Sequence, residues 1–221
     1  MIDLSLPWQV VEGDCLDVML DVPAAAVGAV ISDPPYGMFW DVDTVRFSGG
    51  VTRRGVGKTG ERPVHGDDAP FDPAPWLDFP AVVMFGSNHY AQRLPVGTTL
   101  VWVKRTDAAF GTFLSDAEVG WEKGGRGVYC FTMPHQGVNA EAGVRVHPTQ
   151  KPVALMEWCI GRQQLAPNSL IIDPYCGSGT TGVAAVQMGY RFIGIEREPQ
   201  YVSVARRRIA DAAAQGNLFH G

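Results

Sequence analysis

Short apolar runs that do not alternate are what most restrict the fold of this chain. They are Gln9–Glu12, Val27–Ser32, Ala81–Phe85, Thr98–Lys104, Val128–Thr132, Ser169–Ile172 and Arg191–Ile195. Val, Ile and Phe dominate them, and several are continuous. A strand with one wet face alternates apolar and polar residues, whereas a strand buried on both faces does not. Helical stretches lie between and after the later runs: Val153–Leu165 behind Pro152, Thr180–Met188 behind a Gly-rich turn, and Pro199–Ala214. Proline suits a first helical turn, where its missing N–H has no intrahelical partner anyway. Strand and helix in alternation predict an open α/β fold around a seven-stranded, mostly parallel sheet.

Length and composition fit that picture. A chain of 221 residues suits one domain, 1–221, with a sizeable core. No apolar run approaches the roughly 20 residues of a membrane span. The N-terminus has no basic segment followed by an apolar one, so it does not read as a signal peptide. Cys15, Cys130, Cys159 and Cys176 are scattered, which predicts reduced thiols in a cytoplasmic protein. Neither they nor the five histidines have metal-ligand spacing. Residues 37–72 break the periodicity. They are rich in Gly, Arg, Thr and Asp, and a loop of that length in a compact domain is functional or disordered.

The first chemical constellation closes the second run. Asp33-Pro34-Pro35-Tyr36 puts an acid, two prolines and an aromatic ring at a strand's end. Two prolines fix two φ angles and remove two backbone donors, leaving carbonyls beside a carboxylate and a flat ring. A planar molecule with an amino group fits: the ring stacks on it and the acceptors take its hydrogens.

The second constellation is Asp173-Pro174-Tyr175-Cys176-Gly177-Ser178-Gly179-Thr180-Thr181, a strand end, a Gly-rich turn and a helix start. Glu196 ends the next strand. This is the nucleotide-binding logic of doubly wound folds, in which glycines admit the ligand and an acid holds ribose hydroxyls. The turn has two glycines where a dinucleotide fingerprint has three. Asp173 would repel phosphate and attract a cation. Both features favour S-adenosyl-L-methionine, which carries a sulfonium, an amino group and ribose hydroxyls. Read alone, the segment is also an ordinary β–α turn with a capping Asp, and His147-Pro148-Thr149-Gln150-Lys151-Pro152 is also a helix-entry turn.

Taken together, these residues resemble the DNA amino-methyltransferases of the β, circularly permuted, arrangement. Gly13-Asp14-Cys15, Asp33 to Tyr36, His147 to Pro152, Asp173 to Thr181 and Ile193 to Glu196 follow that family's order nearly end to end. The resemblance implies a single-domain, Rossmann-like methyltransferase fold in which the strand ending at Asp173 lies beside the one ending at Ser32. It implies catalysis by Asp33, Pro34, Pro35 and Tyr36 on the exocyclic amine of a base flipped out of double-stranded DNA. It places S-adenosyl-L-methionine among Asp14, Thr149, Lys151, Asp173, Gly177, Ser178, Gly179, Thr180, Thr181 and Glu196. A homodimer is a further implication. The chain has no Pro-Cys dipeptide of the kind used to attack a cytosine ring. An acid at position 33 favours adenine.

Target recognition departs from the family. The interval Glu122 to Val146 is short for a recognition module, although it offers Lys123, Arg126 and Arg145. The better DNA-contacting candidate is 37–72, with Arg46, Arg53, Arg54, Lys58 and Arg62 against one acid, Glu61, between them. Such a patch suffices for phosphate contacts in a chain of net charge −5, though a solvated polar loop has the same composition. Phe85-Gly86-Ser87-Asn88 either lines the base pocket or is a capped strand-to-helix turn. Arg206, Arg207 and Arg208 read as a solvated helix end. The alternatives left open are cytosine amino-methylation, methylation of RNA or protein (against which the motif order argues), a non-catalytic nucleic-acid-binding relative, and a Rossmann-type oxidoreductase.

Overall fold

A computed structural model describes residues 2–37, 69–105, 110–111, 115–133 and 150–217. The strands are β1 (Trp8–Glu12), β2 (Val27–Ser32), β3 (Val82–Phe85), β4 (Thr98–Val103), β5 (Ala117–Glu122), β6 (Val128–Thr132), β7 (Leu170–Asp173) and β8 (Arg191–Glu196). The helices are α1 (Cys15–Met19), α2 (Val153–Arg162), α3 (Thr180–Gln187) and α4 (Pro199–Asn217). The strands form one sheet in the order β1-β8-β7-β2-β3-β5-β4-β6. From β1 to β3 every pairing is parallel, and β2 lies directly against β7. β5 runs antiparallel to both β3 and β4, and β6 pairs parallel with β4.

Eight strands replace the expected seven, and the added one is β5. Its residues, Ala-Glu-Val-Gly-Trp-Glu, alternate in small steps instead of forming an apolar run, so a search for continuous runs passes over it. The two halves of the sheet explain the difference in pattern. In β2, β3 and β7 neighbouring residues go to opposite cores. Ile31, Val83, Phe85 and Ile171 pack with α2, α3 and α4 on one side. Val30, Val82, Met84 and Ile172 pack with Phe71, Trp76 and Tyr90 on the other. Both faces are dry, hence the continuous runs. β4 alternates buried and half-buried residues, and β6 is largely exposed.

The arginine trio is not a helix end. α4 continues to Asn217, so Arg206–Arg208 lie mid-helix. Arg206 donates to the Val10 carbonyl of β1, and Arg208 reaches the Gly-rich turn. Lys123, one of the few bases in the interval Glu122 to Val146, donates to the carbonyls of Leu77 and Phe79 at 2.8 and 2.7 Å. Among the described residues, no helix is long and apolar enough to cross a membrane.

Candidate active site

The parallel pairing of β2 and β7 brings the two constellations to one edge of the sheet. The Ser32 hydroxyl at the end of β2 donates to Asp173 Oδ1 at the end of β7, 2.5 Å away. Strand ends of an open α/β sheet are where such folds bind ligands.

On the β2 side, Asp33 is partly buried, as are Pro35 and Tyr36, while Pro34 is buried. The Tyr36 hydroxyl donates to Asp33 Oδ1. Its ring stacks on His89, with centroids 5.1 Å apart and planes 10° from parallel. It also lies over Gly86, where a Cβ would collide with Tyr36 Cε1. Gly86 therefore has two reasons to be glycine: the close ring and a φ of +71°. The stretch Phe85 to Asn88 thus touches Tyr36 through Gly86, and the next residue, His89, stacks on it.

Lys151 enters this side from the segment before α2. Its Nζ lies 2.5 Å from Asp33 Oδ2, 2.8 Å from Glu118 Oε2 of β5 and 3.4 Å from the Tyr36 hydroxyl. Glu118 Oε1 in turn receives Lys104 Nζ at 2.8 Å. Burial works against the Lys151 ammonium, but Asp33, Tyr36 and Glu118 more than offset it and hold its pKa well above the usual lysine value. Burial also pushes Asp33 up, and Lys151 draws it partly back. For Glu118 the two lysines overcome burial and bring the carboxyl down to about 2. Burial, then the Asp33 charge, keeps the Tyr36 hydroxyl protonated as a donor.

On the β7 side, Asp173 is 3% exposed. Its Oδ1 accepts the Tyr175 amide at 3.1 Å besides Ser32, and the Thr181 hydroxyl also bonds the carboxylate. Burial pushes its pKa up to about 6. The turn that follows is tied down from two directions. Gly177 N–H donates to Glu196 Oε2 at 2.8 Å, and Glu198 N–H to Glu196 Oε1 at 2.9 Å. Arg208 Nη1 holds the Ser178 carbonyl at 2.6 Å, Ser178 Oγ at 3.0 Å and Thr180 Oγ1 at 3.3 Å. Gly177 and Gly179 have φ of 51° and 82°, and a Cβ on Gly179 would meet Ala205 Cβ of α4 at 2.9 Å. Gly13 N–H donates to the Glu196 carbonyl, which sets Asp14 beside this group. Asp14 caps α1 through the Leu16 amide at 2.9 Å, and its other oxygen is 3.6 Å from Arg197.

The structure therefore gathers Asp33 to Tyr36 with Lys151, and Asp14, Gly177 and Glu196 around the turn, with Asp173 bridging the two strands. Thr149, Arg46, Arg53, Arg54, Lys58, Arg62 and Arg145 lie outside the described residues. Lys151, expected at the methionine end of a cofactor, has its contacts on Asp33 and Glu118. Glu118, Lys104, His89 and Arg208 were not singled out as site residues. The period-two pattern of β5 could have revealed Glu118; nothing local marks the other three.

The donor set at the turn suits S-adenosyl-L-methionine. Asp14, Asp173 and Glu196 would offer carboxylates to a ligand with cationic and hydroxyl groups, and the Arg208 guanidinium is committed to the turn itself. Each oxygen of Glu196 accepts one amide and retains a lone pair for a hydroxyl.

Fold and site define a nucleoside-cofactor-binding α/β enzyme of the methyltransferase type. A family model for N6/N4 methyltransferases, described as DNA methylase, matches residues 98–207. The type II methyltransferase M.HinfI of Haemophilus influenzae is 24% identical over 94% of this chain and 70% of its own. Among solved structures, the M1.HpyAVI–SAM complex aligns with a TM-score of 0.56 and 23% identity over 91% of this chain and 99% of its own. The cytosine-N4-specific PvuII DNA methyltransferase aligns at 0.55 and 14%, over 95% and 94%. At these identities the structural likeness is one of fold. The chain belongs to the DNA amino-methyltransferase family.

Proposed function

We propose that this protein moves a methyl group from S-adenosyl-L-methionine to the exocyclic amine of adenine in double-stranded DNA. The observation that carries the reading is the pairing of β2 with β7, which sets Asp33-Pro34-Pro35-Tyr36 beside the Gly-rich turn. Asp173, Gly177, Ser178, Gly179, Thr180 and Thr181 would hold the amino-acid end of the cofactor, Glu196 its ribose and Asp14 its adenine, with Thr149 alongside. When bound, this cofactor supplies an electrophilic methyl group on a sulfonium.

The protein's own part is alignment. The target base must leave the duplex, since its amine is otherwise paired. Tyr36 would stack on it, with its own ring held by contacts to Gly86 and His89. The Asp33 carboxylate and the Pro34 carbonyl would accept the two amino hydrogens. An exocyclic amine is a poor nucleophile because its lone pair is delocalised into the ring. Two acceptors bias the nitrogen towards a tetrahedral shape with the lone pair exposed, and the rest is proximity. Residues 37–72 are the proposed DNA contact, with Arg46, Arg53, Arg54, Lys58 and Arg62 on phosphates or guanines.

The test incubates the protein with methyl-labelled cofactor and unmethylated DNA, then digests to nucleosides. Label on adenine is expected. Label on cytosine would move the reading to that base, and cofactor binding with no label on any DNA would point to a non-catalytic relative. Alanine at Arg53 and Arg54 should weaken DNA binding and flatten its salt dependence; unchanged values would remove 37–72 from the interface. A second chain in the active form would appear as doubled mass in light scattering.

A further inference from the structure

Asp33 heads a line of charges that runs from the base site into the sheet. Its Oδ2 meets Lys151, Lys151 also meets Glu118, and Glu118 meets Lys104, each at 2.5–2.8 Å. The four residues come from the exit of β2, the entry to α2, the start of β5 and the exit of β4. The side chain of Lys151 is only 6% exposed. One carboxylate would already neutralise it. A second, half-buried carboxylate on the same ammonium carries a desolvation cost that needs a reason.

The catalytic task supplies one. To polarise an amine, Asp33 must be an anion with a lone pair free to accept. Burial opposes the anion, and a nearby cation restores it. Yet an ammonium bound to Asp33 alone would compete with the amine for the same oxygen. Glu118 pulls the ammonium the other way, and Lys104 keeps Glu118 charged and in place. The field of Lys151 then reaches Asp33 without the lysine being wholly committed to it.

We propose that Lys151 and Glu118 are positioning residues for methyl transfer: Lys151 keeps Asp33 ionised, and Glu118 holds the ammonium between two carboxylates so that Asp33 can accept from the substrate. This rests on the methyl-transfer reading above. Among the described residues, the charged and titratable groups that face Asp33 are Lys151 and Tyr36 in contact, then Glu118, Tyr90 and Asp173, with Lys104 behind Glu118 and His89 behind Tyr36.

Two readouts test it. One is the pH profile of single-turnover methyl transfer at saturating cofactor. The other is a carbon NMR titration of protein labelled at Asp carboxyls, with the Asp33 signal assigned by its loss in Asp33→Asn. Lys151→Met should raise the Asp33 titration midpoint by about one pH unit or more, and the acid limb of the rate should move with it. Lys151→Arg should restore both. Glu118→Gln should leave Asp33 ionised and cofactor affinity unchanged, yet slow transfer about tenfold. An unshifted Asp33 midpoint in Lys151→Met overturns the role of Lys151, and weakened cofactor binding there would return it to the methionine end. An unslowed Glu118→Gln overturns the role of Glu118. If Lys151→Met does not fold, Lys151→Arg and Glu118→Gln still decide. If the unaltered protein transfers no methyl to any DNA, the functional reading falls, and the NMR midpoints alone judge the charge line.

Discussion

β2 and β7 lie side by side, and the acids at their ends are held in opposite ways. Asp33 has a cation of its own, Lys151 at 2.5 Å, itself shared with Glu118. Among the described residues, Asp173 is held by neutral donors: the Ser32 and Thr181 hydroxyls and the Tyr175 amide. The nearby Asp33 charge also presses against it. The consequence is a difference in how each carboxyl is tuned. Burial pushes both upward, Asp173 to about 6, and only Asp33 has a lysine that draws it partly back. Under the proposed function each arrangement suits its task. The acid that must accept hydrogens in every turnover carries a built-in counter-ion. The acid beside the Gly-rich turn is left to neutral donors, because a cationic ligand would bring the charge.

The sharpest way to break this comparison is Asp33→Asn. The amide keeps the size and one acceptor but turns a donor towards the amine. Turnover should fall about 10²–10³-fold, the usual loss when one group that stabilises a transition state is removed. Cofactor affinity, measured by calorimetry, should stay near that of the unaltered protein. An equal loss of affinity would mean that the two acids serve one ligand, and the contrast would collapse.

Asp173→Asn comes next and tests the other side. The folded protein holds a proton on Asp173 up to about pH 6, whereas an unfolded Asp releases it near 3.8. Between those values the folded state binds more protons, so stability falls as pH rises from about 4 to 6. A gap of that size between the folded and unfolded midpoints is worth about 3 kcal/mol. Urea unfolding at pH 4 to 7 should show that slope, and Asp173→Asn should flatten it. Cofactor affinity should run the other way, rising through pH 6 as the carboxylate ionises to meet a cation. A pH-independent affinity would leave Asp173 a purely structural link between β2 and β7.

Much of this contrast was legible in the sequence, and its limits have physical causes. Continuous apolar runs marked β2, β3 and β7 because both their faces are dry, and proline pairs and glycines mark backbone geometry directly. Asp33, Asp173 and Glu196 could therefore be placed at strand ends, and Gly177 in the turn after one of them, from the chain's pattern alone. Counter-ions leave no such trace. Lys151 lies 118 residues from Asp33 and Glu118 sits on a strand without an apolar run, so only the sheet order brings them together. Arg208 looked like helix-end solvation because nothing in α4 records that the Gly-rich turn packs on it.

A smaller effect is expected from Gly86→Ala, which acts on the Asp33 side through Tyr36. The left-handed φ of +71° costs an alanine about 1–2 kcal/mol. Its Cβ, colliding with Tyr36 Cε1, would also force the ring off the turn and away from His89. Thermal unfolding should report the first loss. Transfer rate should fall about tenfold, with base stacking weakened and cofactor affinity intact. A stable protein with normal turnover would show that Tyr36 needs no backing.

Arg208→Met is the mildest variant and the most direct on the Asp173 side. The guanidinium touches no residue of the β2 constellation in any hydrogen bond described above; it supports the turn from behind, through Ser178 and Thr180. Methionine keeps the stem packed and removes the donors. The buried Ser178 carbonyl would then lose its partner, at a cost of about 1–3 kcal/mol. Relaxation of the turn should absorb part of that cost. What remains should appear as cofactor affinity lowered about fivefold to tenfold, with the single-turnover rate at saturating cofactor little changed. Arg208→Lys should recover part of the loss, since one ammonium can reach one of the three acceptors but not all. If the rate falls and affinity does not, the turn shapes the reacting end of the site through the Ser32–Asp173 link, and the two strand ends act as one unit.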